Sequence, residues 1–302
     1  MRTWQLRFVI GLAVTVLGAG SAPAHPGSAI AVAKDGVVYF VDTGGGVFSI
    51  GPGGRVVRRE GPAFHWFALD PQGRFRKTRW PSMPGAEFRS AGENPGVVLS
   101  SDFPVTIGAD GRFYYPDGTQ GDRIRVVAID PSGARGVRAT LPPIRKGGRT
   151  ISWLNGLAAG PDGSLYYTED RAIRKVDARG RVSTVVENVV LKDCTAIPGT
   201  EAGAGPYLRG LAIGPDGSIY VAASGCGAVL KVHRNGRVTT AMKASPPWSP
   251  TAVAVADGEV YVLEYLHTAS DDRREWIPQV RKIARSGVVS TVGRPPRPAH
   301  GK

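Results

Sequence analysis

Several polar side chains suited to holding a ligand lie beside short apolar runs of the sequence. They comprise two histidines, one of them next to a tryptophan, an asparagine, an arginine and three carboxylates: His65, Trp66, Asn155, Glu169, Asp170, Arg209, Glu264 and His267. Such groups hydrogen-bond to polar ligands, and carboxylate and imidazole groups also bind divalent metals. The sequence contains no nucleophile elbow, no glycine-rich phosphate loop and no Cys–His pairing. The pattern indicates a binding site and leaves open whether the chain is an enzyme.

A repeated segment must position these side chains. Residues 156–186 and 210–240 share one frame: Gly-Leu-Ala, Gly-Pro-Asp-Gly-Ser, an aromatic apolar run, a polar loop, Lys-Val and a final Gly-Arg-Val or its equivalent. Asp-Gly between apolar runs is typical of a tight hairpin, so each copy predicts four short antiparallel strands. One such sheet cannot bury both of its faces, and copies must therefore stack on one another.

The turns of this frame can be followed along the whole chain. The first turn recurs with its glycine at Gly36, Gly73, Gly111, Gly163, Gly217 and Gly258. The second recurs with its glycine at Gly54, Gly133, Gly180, Gly236 and Gly287. Six units of ~40 residues predict an all-β fold, a closed six-bladed β-propeller of four-stranded antiparallel blades. A pair of β-sandwiches is the structural alternative.

The spacing of the units identifies the irregular parts of the ring. Residues 141–151 and 190–207 are predicted insertions before the fourth and fifth blades. Residues 79–94 are rich in proline, glycine and charge, so we expect the second blade to be irregular.

Three parts of the chain are distinguished by composition. Residues 1–24 have a basic start, a ten-residue apolar core and a small-residue cleavage site, which predicts a secretory signal. An uncleaved anchor is the alternative. Residues 25–293 form the predicted propeller, and residues 294–302 a disordered, basic, proline-rich tail. We expect a secreted or periplasmic protein whose mature chain has no transmembrane segment.

Blade topology sorts the candidate residues onto one face of the ring. Connections after the second strand of each blade, and connections between blades, lie on the same face as the mouth of the central channel. His65, Trp66, Asn155 and Arg209 precede or open inner strands, whereas the loops after second strands carry Glu169, Asp170, Glu264 and His267. Long loops on a rigid scaffold commonly carry function, so the mouth face is the predicted binding face. A histidine beside a tryptophan also has a plain packing interpretation.

The two cysteines of the chain fall on this face as well. Cys194 lies in the second insertion, and Cys226 lies in the loop after the second strand of the fifth blade. Two cysteines in an exported protein favour one disulfide, which would hold the insertion over the channel. Two free thiols are the alternative.

The charge of the chain is strongly basic. The formal net charge is +13, and lysine and arginine are spread over every repeat. One interpretation is an anionic polymer as partner, and the other is a solvated basic surface. No run of five or six basic residues and no nucleic-acid module occurs, so we expect no specific nucleic-acid binding.

The repeated frame resembles an NHL-repeat β-propeller. The resemblance is good over the fourth and fifth blades, partial over the first, third and sixth, and poor over the second. NHL-type propellers include binding and sensor modules and a few metal-dependent lyases, so the resemblance implies architecture rather than activity. It implies a small-molecule, glycan or protein partner at the mouth face.

A more distant resemblance is to the gluconolactonase/senescence-marker propellers. Leu154-Asn155-Gly156 is similar to an Asn-Gly motif of that family, which implies Asn155 as a ligand of a divalent cation, calcium or zinc. Ser28 stands where the family has an acid, and Arg209 places a positive charge at the same mouth. The sequence therefore predicts an exported propeller that binds a ligand or partner, with a metal-dependent lactone or ester hydrolase as the alternative.

Overall fold

The structure is a computed structural model of the chain. It describes residues 28–42, 45–60, 66–69, 97–100, 103–118, 123–146, 149–151, 154–194, 205–266 and 275–296. The predicted signal, residues 1–24, and most of the predicted tail, residues 297–302, lie outside the described residues, as do His65 and His267. No helix in the described part is long and apolar enough to cross a membrane.

Five four-stranded antiparallel sheets form the blades of a β-propeller. Blade one contains β1 Ile30–Val32, β2 Val38–Asp42, β3 Gly46–Ile50 and β4 Val56–Glu60. Position two holds β5 Trp66–Leu69 and β6 Val97–Ser100. Blade three contains β7 Thr106–Ile107, β8 Phe113–Asp117, β9 Arg125–Ile129 and β10 Arg135–Thr140. A hairpin of β11 Ile144–Lys146 and β12 Arg149–Ile151 follows.

The remaining blades follow the same order. Blade four contains β13 Gly156–Ala159, β14 Leu165–Glu169, β15 Ala172–Val176 and β16 Val182–Val186. Blade five contains β17 Leu208–Ile213, β18 Ile219–Ala223, β19 Ala228–Val232 and β20 Val238–Lys243, with a short 3-10 helix at Ser224–Cys226. Blade six contains β21 Trp248–Ala256, β22 Glu259–Leu266, β23 Pro278–Ile283 and β24 Val289–Gly293.

The prediction of six four-stranded blades is therefore wrong. The described residues form five such blades, and position two contributes a two-stranded sheet, β5–β6. Its predicted turn at Gly73 and the segment 79–94 lie outside the described residues. The first predicted insertion, residues 141–151, contains a β-hairpin before blade four. The sandwich alternative is wrong as well, because the sheets form a ring around one cavity.

The ring closes by packing of its first and last inner strands. β1 contacts β21, and each of these strands belongs to a blade built from its own consecutive strands. The buried hydroxyl of Tyr265 in blade six donates a hydrogen bond of 2.5 Å to the carbonyl of Val41 in blade one. Phe40 and Tyr265 share one apolar cluster across this junction. Among the described strands, none is exchanged between these two blades.

The predicted hairpin turns are present in every described copy. In blade four the carboxylate of Asp162 accepts hydrogen bonds from the backbone N–H and the hydroxyl of Ser164, at 3.1 and 3.0 Å. Gly163 has φ +72°, a conformation that favours glycine. Asp216 and Ser218 repeat the same bonds in blade five. These local bonds explain why Pro-Asp-Gly-Ser recurs in the sequence.

Neighbouring inner strands approach so closely that the repeated Gly-Leu-Ala needs its glycine. A Cβ atom on Gly156 would lie 2.5 Å from the carbonyl oxygen of Arg209 and 2.9 Å from Oγ1 of Thr168. A Cβ on Gly210 would lie 2.9 Å from the Cα of Ala252 in the next blade. The glycine therefore sets the spacing between blades.

We expect Gly156→Ala to destabilise the ring by about 1–3 kcal/mol, because a fixed backbone oxygen must move to make room. The measurement is the free energy of unfolding in urea. Gly136→Ala in β10 is the matched control, since nothing lies within 4 Å of the added methyl group. Equal stability of the two variants would contradict the close approach.

Candidate mouth-face binding site

A cavity of about 700 Å³ lies at the centre of the ring. Segments of all six inner strands line it, and most of their side chains are small. The inner strands of the five complete blades are end strands of their sheets, so one edge of each is left without a strand partner. One such edge group is satisfied by a neighbouring blade, because the N–H of Ala159 donates to Oγ1 of Thr106 at 3.2 Å. The wall therefore combines small apolar side chains with polar backbone.

The structure places Asn155 and Arg209 beside the same residue, Thr168. The N–H of Asn155 donates to the carbonyl of Thr168 at 3.1 Å. The buried hydroxyl of Thr168 donates to the carbonyl of Arg209 at 2.9 Å. The backbones of blades four and five are thus joined at the mouth end of their inner strands. Arg209 is buried and Asn155 is half-buried.

Sequence reasoning missed the role of Thr168. The residue lies near the end of an aromatic strand and looks like part of the polar loop that follows it. The signal available was the position of Thr168 opposite Gly156 in a predicted hairpin, where a hydroxyl faces the next blade. Its side chain has no exposed surface, and its hydroxyl bond crosses to blade five.

Glu169 is paired within blade four, whereas Asp170 binds the backbone of blade five. The carboxylate of Glu169 accepts a hydrogen bond of 2.6 Å from Nε of Arg174, whose guanidinium also pairs with Glu187. This ion-pair chain runs toward the outer strands of the blade. Asp170 has φ +48°, and its carbonyl accepts the N–H of Leu208 at 2.8 Å. Both residues stiffen the rim of the mouth.

Trp66 is a packing residue in this structure. Its side chain is buried in an apolar cluster with Phe103, Phe113 and Tyr115, and the residue also lines the cavity. The packing interpretation of the histidine beside it stays a prediction. The neighbouring His65 and the distant His267 lie outside the described residues.

Glu264 is the most deeply buried charged residue of the predicted site. Its side chain has no exposed surface, and Oε2 accepts a hydrogen bond of 2.6 Å from the side-chain amide of Gln279. The guanidinium of Arg281 lies 3.9 Å from the same oxygen. Burial raises the pKa of this carboxyl, and Gln279, Arg281 and Arg294 oppose the rise. Desolvation is the largest of these effects, so the neutral acid is favoured beyond the usual range of a glutamate.

A polar chain connects Glu264 to the edge of the mouth. Gln279 accepts a hydrogen bond of 2.7 Å from Nε of Arg294, and the guanidinium of Arg294 lies 5.0 Å from the ring centre of Trp248. The tryptophan begins β21, the inner strand of blade six. No sequence pattern indicates this chain, because its members are separated by up to 46 positions in a single blade.

Three buried side-chain oxygens have no hydrogen-bond partner among the described residues. They are Oγ of Ser28, Oγ1 of Thr251 and Oε1 of Glu264. All three belong to the mouth ends of blades one and six, which are neighbours in the ring. Ser28 lines the cavity, and Thr251 directly precedes its first lining residue on β21. Buried polar groups nearly always have partners, so this sector needs explanation.

The predicted disulfide is confirmed. Cys194 and Cys226 are bonded, with 4.7 Å between their Cα atoms. The insertion is also held by backbone bonds: Val189 N–H donates to the carbonyl of Arg171 at 2.8 Å, and Gly225 N–H donates to the carbonyl of Pro206 at 3.0 Å. The two ends of the insertion therefore rest on the loops of blades four and five.

The described residues do not fit a divalent metal. They contain no group of three or more His, Cys, Asp and Glu side chains placed to hold an ion. The carboxylate of Glu169 is committed to Arg174. A hard cation prefers several oxygen ligands.

Comparisons with known proteins found similar solved structures but no family. No family model matches the sequence, and no curated protein matches it. The NHL-repeat resemblance thus stays a prediction.

Among solved structures, the chain is similar to a streptogramin B lyase, with 16% identity, a TM-score of 0.48 and coverage of 90% of this chain and 84% of the other. It is also similar to a catalytically inactive virginiamycin B lyase from Staphylococcus aureus, with 15% identity, a TM-score of 0.43 and coverage of 88% of this chain and 69% of the other. A third similar structure is a putative gluconolactonase, with 13% identity, a TM-score of 0.43 and coverage of 90% of this chain and 78% of the other. At these values the similarities say nothing about the chemistry of this chain.

We expect the Cys194→Ser, Cys226→Ser double variant to lose up to roughly 3–4 kcal/mol of stability, because the bond closes a long loop in the unfolded chain. The measurements are urea unfolding and limited proteolysis within residues 190–207. The far-UV spectrum should remain native, since the core of each blade is independent of the bond. Unchanged cleavage would mean that the backbone bonds alone hold the insertion.

Glu264→Gln should change how stability depends on pH. The pKa of the folded carboxyl is raised, so its contribution to stability is complete below the unfolded pKa and is lost as pH rises through the folded pKa. The amide cannot ionise, so we expect the variant to match the parent at acidic pH and to exceed it at alkaline pH.

Urea unfolding at several pH values between about 4 and 9 checks this expectation. Glu187→Gln is the control, because that side chain is 72% exposed and its ion pair with Arg174 contributes little. If the Glu264→Gln variant is less stable than the parent at alkaline pH, Arg281 and Arg294 outweigh desolvation and the expectation is wrong.

Proposed function

We propose that this chain is an exported β-propeller that binds a small polar ligand at the mouth face of its channel. The observation that carries the proposal is the sector of unpartnered oxygens formed by Ser28, Thr251 and Glu264. A ligand with several hydrogen-bonding groups would satisfy them together after small side-chain movements at the cavity wall, because all three oxygens are buried. The cavity beside them has a volume of about 700 Å³, within the range typical of small-molecule sites.

The groups of this sector favour a neutral, hydroxyl-rich ligand. The two hydroxyls can each donate or accept a hydrogen bond, and the carboxyl accepts hydrogen bonds and also donates one when it is protonated. An anionic ligand would be opposed by Glu264 in its ionised form, and a cationic ligand by Arg281 and Arg294. A sugar or polyol matches this mixture best, which agrees with the small-molecule or glycan partner expected from the sequence.

Export is supported by two independent features. Residues 1–24 have the pattern of a secretory signal, and the chain contains a disulfide. Disulfides persist mainly in oxidising compartments. We therefore propose a secreted or periplasmic location. The NHL-like repeat supports a binding scaffold of this kind.

The metal-dependent lactone or ester hydrolase is the weaker proposal. Its support is the Asn-Gly motif at Asn155, and the described surroundings of that residue offer no set of metal ligands. A stoichiometric divalent ion retained by the purified protein would reverse this ranking.

Replacing threonine by valine at two positions tests the proposal. Thr251→Val removes a buried hydroxyl with no protein partner among the described residues, so we expect stability to stay within about 0.5 kcal/mol of the parent or to rise. Thr168→Val removes the bond to Arg209 and should cost about 1–2 kcal/mol. Urea unfolding measures both. An equal loss at Thr251 would show that its hydroxyl is already satisfied in the free protein.

Binding itself is measured by calorimetry with a panel of neutral mono- and disaccharides. For any sugar that binds, Thr251→Val and Ser28→Ala should each weaken binding by about 2- to 10-fold, the value of one hydrogen bond. Gly136→Ala, far out on β10, should leave affinity unchanged. Failure of the whole panel, or binding insensitive to both hydroxyls, would contradict the proposed site.

A further inference from the structure

The face opposite the mouth carries a repeated set of exposed arginines. The turn between the third and fourth strands recurs in all five complete blades, and each copy bears at least one: Arg55, Arg135, Arg179, Arg181, Arg234, Arg237 and Arg285. We call these residues the arginine ring. Because the same turn of every blade lies on the same side of a propeller, the ring spans the whole face.

The geometry of these turns presents the guanidinium groups to solvent. Gly180 N–H donates to the carbonyl of Asp177 at 2.9 Å, and Gly180 has φ +81°. The carboxylate of Asp177 accepts the backbone N–H groups of Arg179 and Arg181 at 2.8 and 2.9 Å. The acid therefore stabilises the turn, and of the two arginine side chains only Arg181 pairs with it.

Blades five, six and one lack even this acid. Their turns begin at His233, Ala284 and Gly51, where blades three and four have an aspartate. The side chains of four ring members make no hydrogen bond or ion pair within the described residues: Arg55, Arg179, Arg234 and Arg237. The first turns of the blades place aspartates on the same face, and three of them pair with basic residues outside the arginine ring: Asp110 with Arg112, Asp162 with Lys175 and Asp216 with Lys231. The unpaired arginines of the ring are therefore the positive charge left for an external partner.

The same face lacks the features that recognise bases or sugar rings. No aromatic side chain belongs to the large hydrophobic residues that are exposed in the described part. Aromatic platforms are the usual means of binding single-stranded nucleic acid. An exposed apolar residue does occur here, because Val288 is 65% exposed and lies in the same turn as Arg285. Exposed arginines beside one exposed apolar side chain are suited to binding an extended surface rather than a ligand held in a cleft.

We propose that the arginine ring docks the protein on a membrane surface that contains anionic lipids. A flat anionic surface contacts all five turns at once, whereas a linear polymer crosses only some of them. Basic residues near such a surface each add to binding, and the attraction decays within a Debye length. Docked in this way, the protein directs its mouth face away from the membrane and toward solvent.

The test is co-sedimentation of the full mature chain with vesicles of phosphatidylcholine alone or with phosphatidylglycerol. We expect binding only to the anionic vesicles and its loss in about 0.5 M salt, where the Debye length is about 4 Å. The triple variant Arg179→Gln, Arg234→Gln, Arg237→Gln should bind ~100-fold more weakly, from ~5-fold per arginine. Val288→Ser should give a smaller loss.

A charge-matched control separates the face from the net charge. Arg123→Gln, Lys192→Gln, Lys243→Gln removes three exposed positive charges from the mouth side. We expect it to reduce vesicle binding by less than ~3-fold, since these charges lie farther from the lipid than a Debye length. Equal losses in the two triple variants would overturn the proposal. So would absence of vesicle binding, or tighter binding to soluble polyglutamate or DNA than to vesicles at equal anionic charge.

Discussion

The structure depends on how closely neighbouring inner strands approach each other. At Gly156 the carbonyl of Arg209 occupies the place where any other residue would carry its Cβ, and at Gly210 the backbone of Ala252 does the same. Aliphatic and aromatic side chains then fill the wider spaces between outer parts of the blades, in clusters that each span two blades. Small residues near the axis and large ones outside give each blade a wedge shape, and wedges close a ring. The close approach also brings Asn155 and Arg209 to one threonine.

This arrangement explains the stiffness of the mouth. Thr168 joins blade four to blade five by a buried bond, and the hydroxyl of Ser224 joins blade five to blade six through the carbonyl of Pro250 at 2.5 Å. The disulfide is attached at Cys226, the last residue of the same short helix. Side chains at the mouth are therefore carried by backbone that neighbouring blades hold in place. A binding site on such backbone loses little conformational entropy when a ligand arrives.

Features set by local chemistry could be predicted from the sequence. The turns at Asp162-Gly163 and Asp216-Gly217 follow from bonds within four residues, and two cysteines in neighbouring loops follow from strand order. Features that depend on which of several possible partners a side chain meets could not be predicted from the sequence. Glu169 and Glu264 both lie at the ends of second strands, yet one meets Arg174 within its blade and the other is buried against Gln279. The predicted number of four-stranded blades is wrong because of the second copy, which keeps the first turn motif at Gly73, lacks a clear second turn and forms two strands in its described residues.

The two faces of the ring differ because the turns on the arginine face belong to the repeated sequence frame, whereas the loops on the mouth face do not. Turns on the arginine face need a glycine with positive φ, such as Gly180 or Gly236, so their length and neighbours are copied from blade to blade. A charge placed once in the repeat becomes a charge at every position of the ring, and such an array matches an extended partner. Loops on the mouth face share no common turn motif, so they vary in length and accept unique residues. Thr251 has no counterpart in blades four and five, where Asn155 and Arg209 stand at its position. Glu264 corresponds to Glu169 in sequence but differs from it in being buried against Gln279. A set of groups that occurs once suits a discrete ligand, which is why the two proposed interactions lie on opposite faces.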